Sequence, residues 1–355
     1  MLNHVPRGRP PGNLGYNPMR RYPTLLIAFI ISLMAGPLAP FVRHLHAAKN
    51  SPVEDALRIG LSLQPSNALV MIALDRGFFA DQGLKVSVEK YVSGVRALRD
   101  GLFAGNVDLV TASDVPVALN SFERQDFSIV ATIFRVENQN RIVARADRGI
   151  AKPADLTGKR IATQRGSAVH FFLHLFLLEN GILESDVDQT FMKAGELPEA
   201  LARGDIDAFS MREPYIGQAR ALLGGNAVVF AAPGLYVQSD QVVIANDVLR
   251  EKPDIAKKIL RALVKAENFV AGKPKESQAI VARFVGASEA EIAAIWPEFI
   301  PRVSLEQSLL LRLEDIGRWA VRRQLVNGRQ IPNFLDLIYF EAMQTVKPVA
   351  ITVVR

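Results

Sequence analysis

Leu102 to Ala112 reads LFAGNVDLVTA, and 99 positions later Leu201 to Met211 reads LARGDIDAFSM, so the motif Leu-x-x-Gly-x-(Val/Ile)-Asp occurs twice. Upstream, QGLKVSVEKYVSG leads into the first copy and NGILESDVDQTFMKAG into the second, each supplying a glycine, a β-rich run and a loop. Gly83 to Asp108 spans 25 residues and Gly181 to Asp207 spans 26, the spacing of strand, helix and strand. Two copies predict two α/β lobes of one design with a cleft between them, an arrangement that closes on a ligand.

Working outward, Leu57 to Leu63 alternates and stops at Gln64-Pro65-Ser66-Asn67, a strand running into a loop. A helix follows over Ala68 to Asp75, and Gly83 caps the turn before a strand from Lys85 to Tyr91. Ser93-Gly94 opens the first repeat's helix, Val107 to Ala112 is a strand and Asp114 to Phe122 a helix. Ile129 to Arg145 holds two strand-like runs split by polar Glu137 to Asn140, which suits a crossing to the second lobe. There a turn over Pro153 to Ala162 feeds a strand, and AVHFFLHLFLL after Gly166-Ser167 reads as a largely buried helix. Val228 to Ala231 is a strand, Tyr236 to Ala245 the return crossing, and the chain from Asp247 is helical almost to its end. The expected division is therefore 57–140 with 245–340 as the first lobe and 141–244 as the second. Residues 341–355 form a C-terminal tail whose last stretch, PVAITVVR, pairs with an edge or frays.

The 355 residues are 49% apolar, enough for two medium cores. The net charge of +6 comes largely from Arg7, Arg9, Arg20, Arg21 and Arg43, which no acid accompanies in residues 1–48. The remainder balances 37 basic against 36 acidic side chains, so a nucleic-acid partner loses its main support. With no cysteine, disulfides, thiolate metal sites, a thiol nucleophile and a lipidated cysteine are excluded.

Arg20-Arg21 ahead of TLLIAFIISLMA (Thr24 to Ala35), with Ala47 and Ala48 beyond, reads as an export signal over residues 1–48. Met19-Arg20-Arg21 itself resembles a signal start, making residues 1–18 an upstream extension. The rival reading is a retained anchor over residues 23–42, with Pro37 and Pro40 against it. Either one places the body outside the cytoplasmic membrane.

Five segments in order resemble the periplasmic solute-binding proteins of nitrate, sulfonate and taurine ABC importers. They are ALDRGFFADQGLKV, SGVRALRDGLFAGNVDLV, DLTGKRIATQRGSAVHFFLHLFL, ALARGDIDAFSMREP and NDVLREKPDIAKKILRALVKAENFV, within a span from Leu57 to Phe269. The resemblance implies a type II periplasmic-binding-protein fold, two α/β lobes joined by two crossover strands. It also implies a monomeric receptor that hands one small molecule to an ABC permease with its ATPase, in the periplasm. Where family members carry Trp-x-Pro, this chain has Met211-Arg212-Glu213-Pro214, so an aromatic contact is exchanged for Met or a charge.

In such a sheet, ligands bind beyond the carboxyl ends of the strands, at helix N-termini that favour oxyanions. This singles out Gln64, Ser66 and Asn67, then Ser93 and Gly94, Ser113 and Asp114, Gly166 and Ser167, and Arg212 and Glu213 on the loop from Ser210. Arg212 offers a forked contact to a sulfonate or carboxylate, or pairs with Glu213. Asp114 and Glu213, at equivalent places in the two lobes, offer an amine site instead. Tyr236 and Phe171 could stack on a ring or pack in the core.

His170 and His174, four apart on one helix, lack a third ligand, and no metal or cofactor is expected. His170 remains a candidate ligand contact near the helix start. Asp108 and Asp207 read as structural, bonding the backbone of their own lobes. The leading function is a receptor for a small organic anion or heterocycle, without catalytic residues. The alternatives are an enzyme on the same fold, of thiamine-pyrimidine-forming or desulfinating type, which would need His170 with Glu213, and a membrane-tethered ligand sensor.

Overall fold

The computed structural model describes residues 55–354, and the expected export segment lies outside them. Short Val- and Ile-rich runs form the strands, and the longer apolar stretches between glycine and proline breaks form helices. The chain begins with β1 (Asp55–Ser62), α1 (Ala68–Asp75), β2 (Leu84–Tyr91), α2 (Gly94–Arg96) continued by a π turn (Ala97–Leu102), β3 (Leu109–Ser113), α3 (Asp114–Asn120) and β4 (Phe127–Val136). Across the polar break at 137–140 come β5 (Arg141–Arg145), β6 (Arg160–Thr163), α4 (Ala168–Glu179), β7 (Asp188–Phe191), α5 (Leu197–Arg203), β8 (Ala208–Met211), α6 (Tyr215–Leu223) and β9 (Ala227–Ala231). The return adds β10 (Gln238–Ala245), α7 (Asn246–Glu251), α8 (Ile255–Gly272), α9 (Pro274–Val285), α10 (Glu289–Ile295), β11 (Phe299–Ser304), α11 (Gln307–Arg322) and α12 (Phe340–Val346).

The strands form two sheets, ordered β11-β4-β10-β3-β1-β2 and β7-β6-β8-β5-β9. Omitting the edge strand β11, the two repeat one plan. Three parallel strands (β2-β1-β3 and β7-β6-β8) are followed by an antiparallel strand arriving from the other lobe, β10 in one and β5 in the other. The repeated aspartates hold this plan together in the same way. Asp108 accepts from the backbone N of Arg58 on β1 at 2.8 Å and from its Nε at 3.0 Å; Asp207 accepts from the backbone N of Arg160 on β6 at 3.0 Å and from its Nε at 3.1 Å. Each aspartate thus ties its own lobe's central strand to the neighbouring one.

Three expectations need correction. β10 belongs to the first sheet from Gln238 onward, so the lobe boundary falls between β9 and β10 rather than at 244. The run after Asp247 is not purely helical: Phe299–Ser304 is an edge strand on β4, where Pro301 is tolerated because an edge needs hydrogen bonds on one side only. Residues 341–355 are not a separate tail, since α12 begins at Phe340 and Lys347 pairs with Glu267 at 2.6 Å. Of the two readings of the last stretch, the edge pairing holds, through a parallel bridge between Leu305 and Ile351. Leu305 donates to Ala350 O and accepts from Thr352 N.

The main apolar cluster runs from β1 and α1 through α4 to α11, while the second lobe has a smaller cluster of its own around Val143, Phe209 and Ile216. The fully buried Trp319 of α11 lies against α4, 4.9 Å from the His170 ring and 5.1 Å from Phe171 between ring centres. Helix α11 therefore packs on both lobes. Among the described residues, no helix is long and apolar enough to cross a membrane.

Candidate functional site

The parallel strands of both sheets end facing a cavity of about 250 Å³. From the first lobe come Ser62 and Gln64 after β1, Ser93 to Arg96 after β2, Ala112 and Ser113 at the end of β3, and Pro116 on α3. From the second come Gln164, Arg165, Ser167 and Ala168 between β6 and α4, and Arg212 just past β8; β10 adds Gln238 and Asp240. Gly94 is required here because a Cβ would lie 3.0 Å from Ala112 Cα, too close for helix α2 to sit on β3. Gly166, a predicted contact, adopts φ +64° and does not itself line the cavity, though its neighbours Arg165 and Ser167 do.

Of the residues expected from sequence, Gln64, Ser93, Gly94, Ser113, Ser167 and Arg212 line this cavity. Ser93 also caps its helix, accepting from Arg96 N at 3.3 Å. Ser167 does not cap α4; its hydroxyl donates to Gln164 O at 2.7 Å, leaving the first turn of α4 without a side-chain cap beside the cavity.

The remaining candidates lie behind or outside the wall. Ser66 and Asn67 are buried, and Asn67 Nδ2 donates to Ser62 O at 2.7 Å and Ser62 Oγ at 2.8 Å, shaping the loop. Asp114 is fully buried and accepts from Tyr236 Oη at 2.5 Å, with Arg312 Nε of α11 at 3.2 Å from its other oxygen. Burial pushes the Asp114 carboxyl up to about 6, against the pull of Arg312 and Tyr236. Tyr236 is spent on that bond and on an edge contact with Phe171, so neither ring faces the cavity. Gly166 N donates to His170 Nδ1 at 3.2 Å, and His170 is buried under Trp319 rather than open to a ligand. Burial holds its imidazole down at about 4. Glu213 is exposed on the loop before α6 and accepts from Gly217 N of that helix's first turn at 2.9 Å, so Asp114 and Glu213 do not form a shared amine site. Among the described residues, no three His, Asp or Glu side chains converge as metal ligands.

Sequence reasoning passed over Arg96, Gln238 and Asp240, and named Arg165 only as part of its loop. The missed signal was Gln238-Ser239-Asp240-Gln241, a polar run at the start of a strand, every member of which is at most 4% exposed. Such residues are rarely buried without a purpose.

Three arginines reach the wall. Arg96 pairs with Asp100 at 2.5 Å, and the Arg165 guanidinium lies 5.4 Å from the centre of the Phe191 ring. Arg212 is half-buried and lines the cavity. Burial lowers its pKa, Asp240 opposes that effect, and its guanidinium makes no hydrogen bond or ion pair with the described residues. Asp240, 4% exposed, is shifted upward by burial, with Ser66, Gln238 and Arg212 acting the other way.

Two matched α/β lobes joined by crossing strands, with a cavity at the carboxyl ends of both sheets, define a periplasmic-binding-protein fold. The chain belongs to the NMT1/THI5-like family, whose profile matches residues 64–277. It is 24% identical over 252 residues to the taurine-binding periplasmic protein of Escherichia coli, covering 68% of this chain and 77% of that one. Its structure resembles the periplasmic aliphatic sulphonate binding protein SsuA of Escherichia coli, with TM-score 0.68 and 20% identity over 81% of this chain and 98% of the other. The desulfurization enzyme DSZB shares the fold, with TM-score 0.59 and 16% identity over 83% of this chain and 99% of the other.

Proposed function

We propose that this protein is the solute-binding receptor of an ABC importer, capturing a small organic anion of the sulfonate or taurine kind and presenting it to the permease. The observation that carries the reading is Arg212, a half-buried cation at the cavity wall whose guanidinium makes no ion pair with the described residues. A ligand oxyanion supplies that partner, and the uncapped first turn of α4 offers backbone N–H groups to the same charge. None of the lining residues is aromatic, which favours an anion over a stacked heterocycle. The ligand stabilises the closed arrangement through contacts with both lobes, and the permease recognises that arrangement.

Binding needs no covalent step. His170 and Glu213, the acid and base an enzyme would have used, share no hydrogen bond: one is packed beneath Trp319 and the other is exposed on the loop before α6. Export by a cleaved signal and action as a monomer complete the proposal, with the relatives' periplasmic setting in its support.

The test is titration calorimetry against alkanesulfonates, aminoalkanesulfonates, nitrate and pyrimidines, with wild type and Arg212→Gln side by side. Saturable binding of a sulfonate that Arg212→Gln weakens supports the reading; binding of a pyrimidine alone, or no binding at all, overturns it.

A further inference from the structure

His170 is buried, 1% exposed, at the third position of α4, next to the loop that carries Arg165 and Ser167 to the cavity wall. Its Nδ1 accepts from Gly166 N of that loop at 3.2 Å. A ring nitrogen that accepts carries no proton, so the neutral imidazole holds its proton on Nε2. Burial favours this neutral form and holds the group down at about 4; Glu184 and Gln189 pull the other way, and Arg323 and Arg165 push with burial. The ring is fixed from two sides by edge contacts, with centres 5.0 Å from Phe191 of β7 and 4.9 Å from Trp319 of α11. Phe191 in turn has the Arg165 guanidinium 5.4 Å from its ring centre.

The third position of a helix is where Glu or Gln commonly reaches back to a backbone N–H at the helix entry. A glutamate there would set a negative charge at the positive end of α4 and oppose an incoming oxyanion. A neutral histidine closes the loop without that charge, and Ser167 leaves the first turn uncapped. We infer that His170 is a positioning residue for anion capture: by accepting from Gly166 N it holds loop 164–167 so that Arg165, Ser167 and the first backbone N–H groups of α4 are presented to the cavity. This rests on the receptor reading and adds to it a residue that works from behind the wall. His170 touches no ligand; its lone pair fixes the place of groups that do. Gly166, at φ +64°, supplies the bend that the bond secures.

Three substitutions separate this role from packing. His170→Asn puts Oδ1 close to where Nδ1 stands, keeping the acceptor and losing the ring. His170→Phe, and the smaller His170→Leu, fill the space between Phe191 and Trp319 and have no acceptor. Titration calorimetry at pH 7 with ethanesulfonate and 2-aminoethanesulfonate should find the acceptor-free variants weakened roughly three- to tenfold, the scale of one neutral hydrogen bond, and His170→Asn within about twofold of wild type. Exchange of the Gly166 amide, followed by NMR in the ligand-free protein, should be faster in the acceptor-free variants alone. The opposite ranking, with His170→Asn weakened and His170→Phe unchanged, assigns His170 to packing and overturns the inference. Equal weakening of all three, or of none, overturns it as well, and each of these results leaves the receptor reading intact. A wild type that binds neither sulfonate refutes the receptor reading and the inference together.

Discussion

Arg212 brings a half-buried positive charge to the cavity wall. Its guanidinium is partly desolvated and makes no ion pair among the described residues, so Arg212→Gln should weaken anion binding by about ten- to a hundredfold while leaving the melting temperature of the ligand-free protein equal or higher. A lowered melting temperature would show that Arg212 supports the fold instead. His170 carries a second prediction. An unfolded imidazole takes a proton near 6.5, whereas the buried one resists to about 4, so the stability it confers is complete above pH 6.5 and lost as pH falls to about 4. Asp114 acts in the opposite sense, because its raised carboxyl keeps a proton in the folded state and its contribution is lost as pH rises through about 6. The two oppose each other in wild type. Denaturant titrations should therefore show His170→Asn gaining on wild type by roughly 3 kcal/mol between pH 6.5 and 4.

Helices and strands show how the repeat is enforced. Asp108 and Asp207 make matching bonds to the backbone and guanidinium of Arg58 and Arg160, so Asp108→Asn and Asp207→Asn should each cost about 1–3 kcal/mol in urea unfolding. A large cost in one lobe alone would mean that the repeated motif is held by different forces. Helix α11 has no counterpart in the repeat and links the lobes through Arg312 to Asp114 and Trp319 to α4. Trp319→Ala should cost about 3–5 kcal/mol, since it empties the space between α11 and the rings of His170 and Phe171. Arg323, just beyond α11, adds an ion pair to Glu184 of the second lobe at 2.5 Å; burial disfavours the Glu184 charge, but His174 and Arg323 outweigh it and its pKa is lowered.

At the scale of the whole molecule, export and ligand capture meet in one prediction. Mass spectrometry of the protein recovered from the periplasm should find a chain beginning near Ala47 to Lys49, and a native spectrum should show a small molecule that denaturation releases. A full-length chain in the membrane fraction would favour the tethered reading. The architecture was legible in the sequence because Leu-x-x-Gly-x-(Val/Ile)-Asp is local: a glycine turn, a strand entry and an aspartate recur at fixed spacing, and the hydrophobic period between them sets strand or helix. So were the loops at the strand ends, including Ser93, Ser167 and Arg212, since the position of a ligand site follows from sheet topology. What only the tertiary structure decided was which side chains of those loops face the cavity. Asp114 and Tyr236 turned to each other, His170 turned to Gly166 and Trp319, and Asp240 came forward from a strand read only as a crossing. Their partners stand 122, 4 and 149 positions away for Tyr236 Oη, the Gly166 amide and the Trp319 ring, and a buried polar group goes wherever a distant partner satisfies it. Spacing along the chain carries local geometry; it does not carry the pairing of buried charges across a cleft.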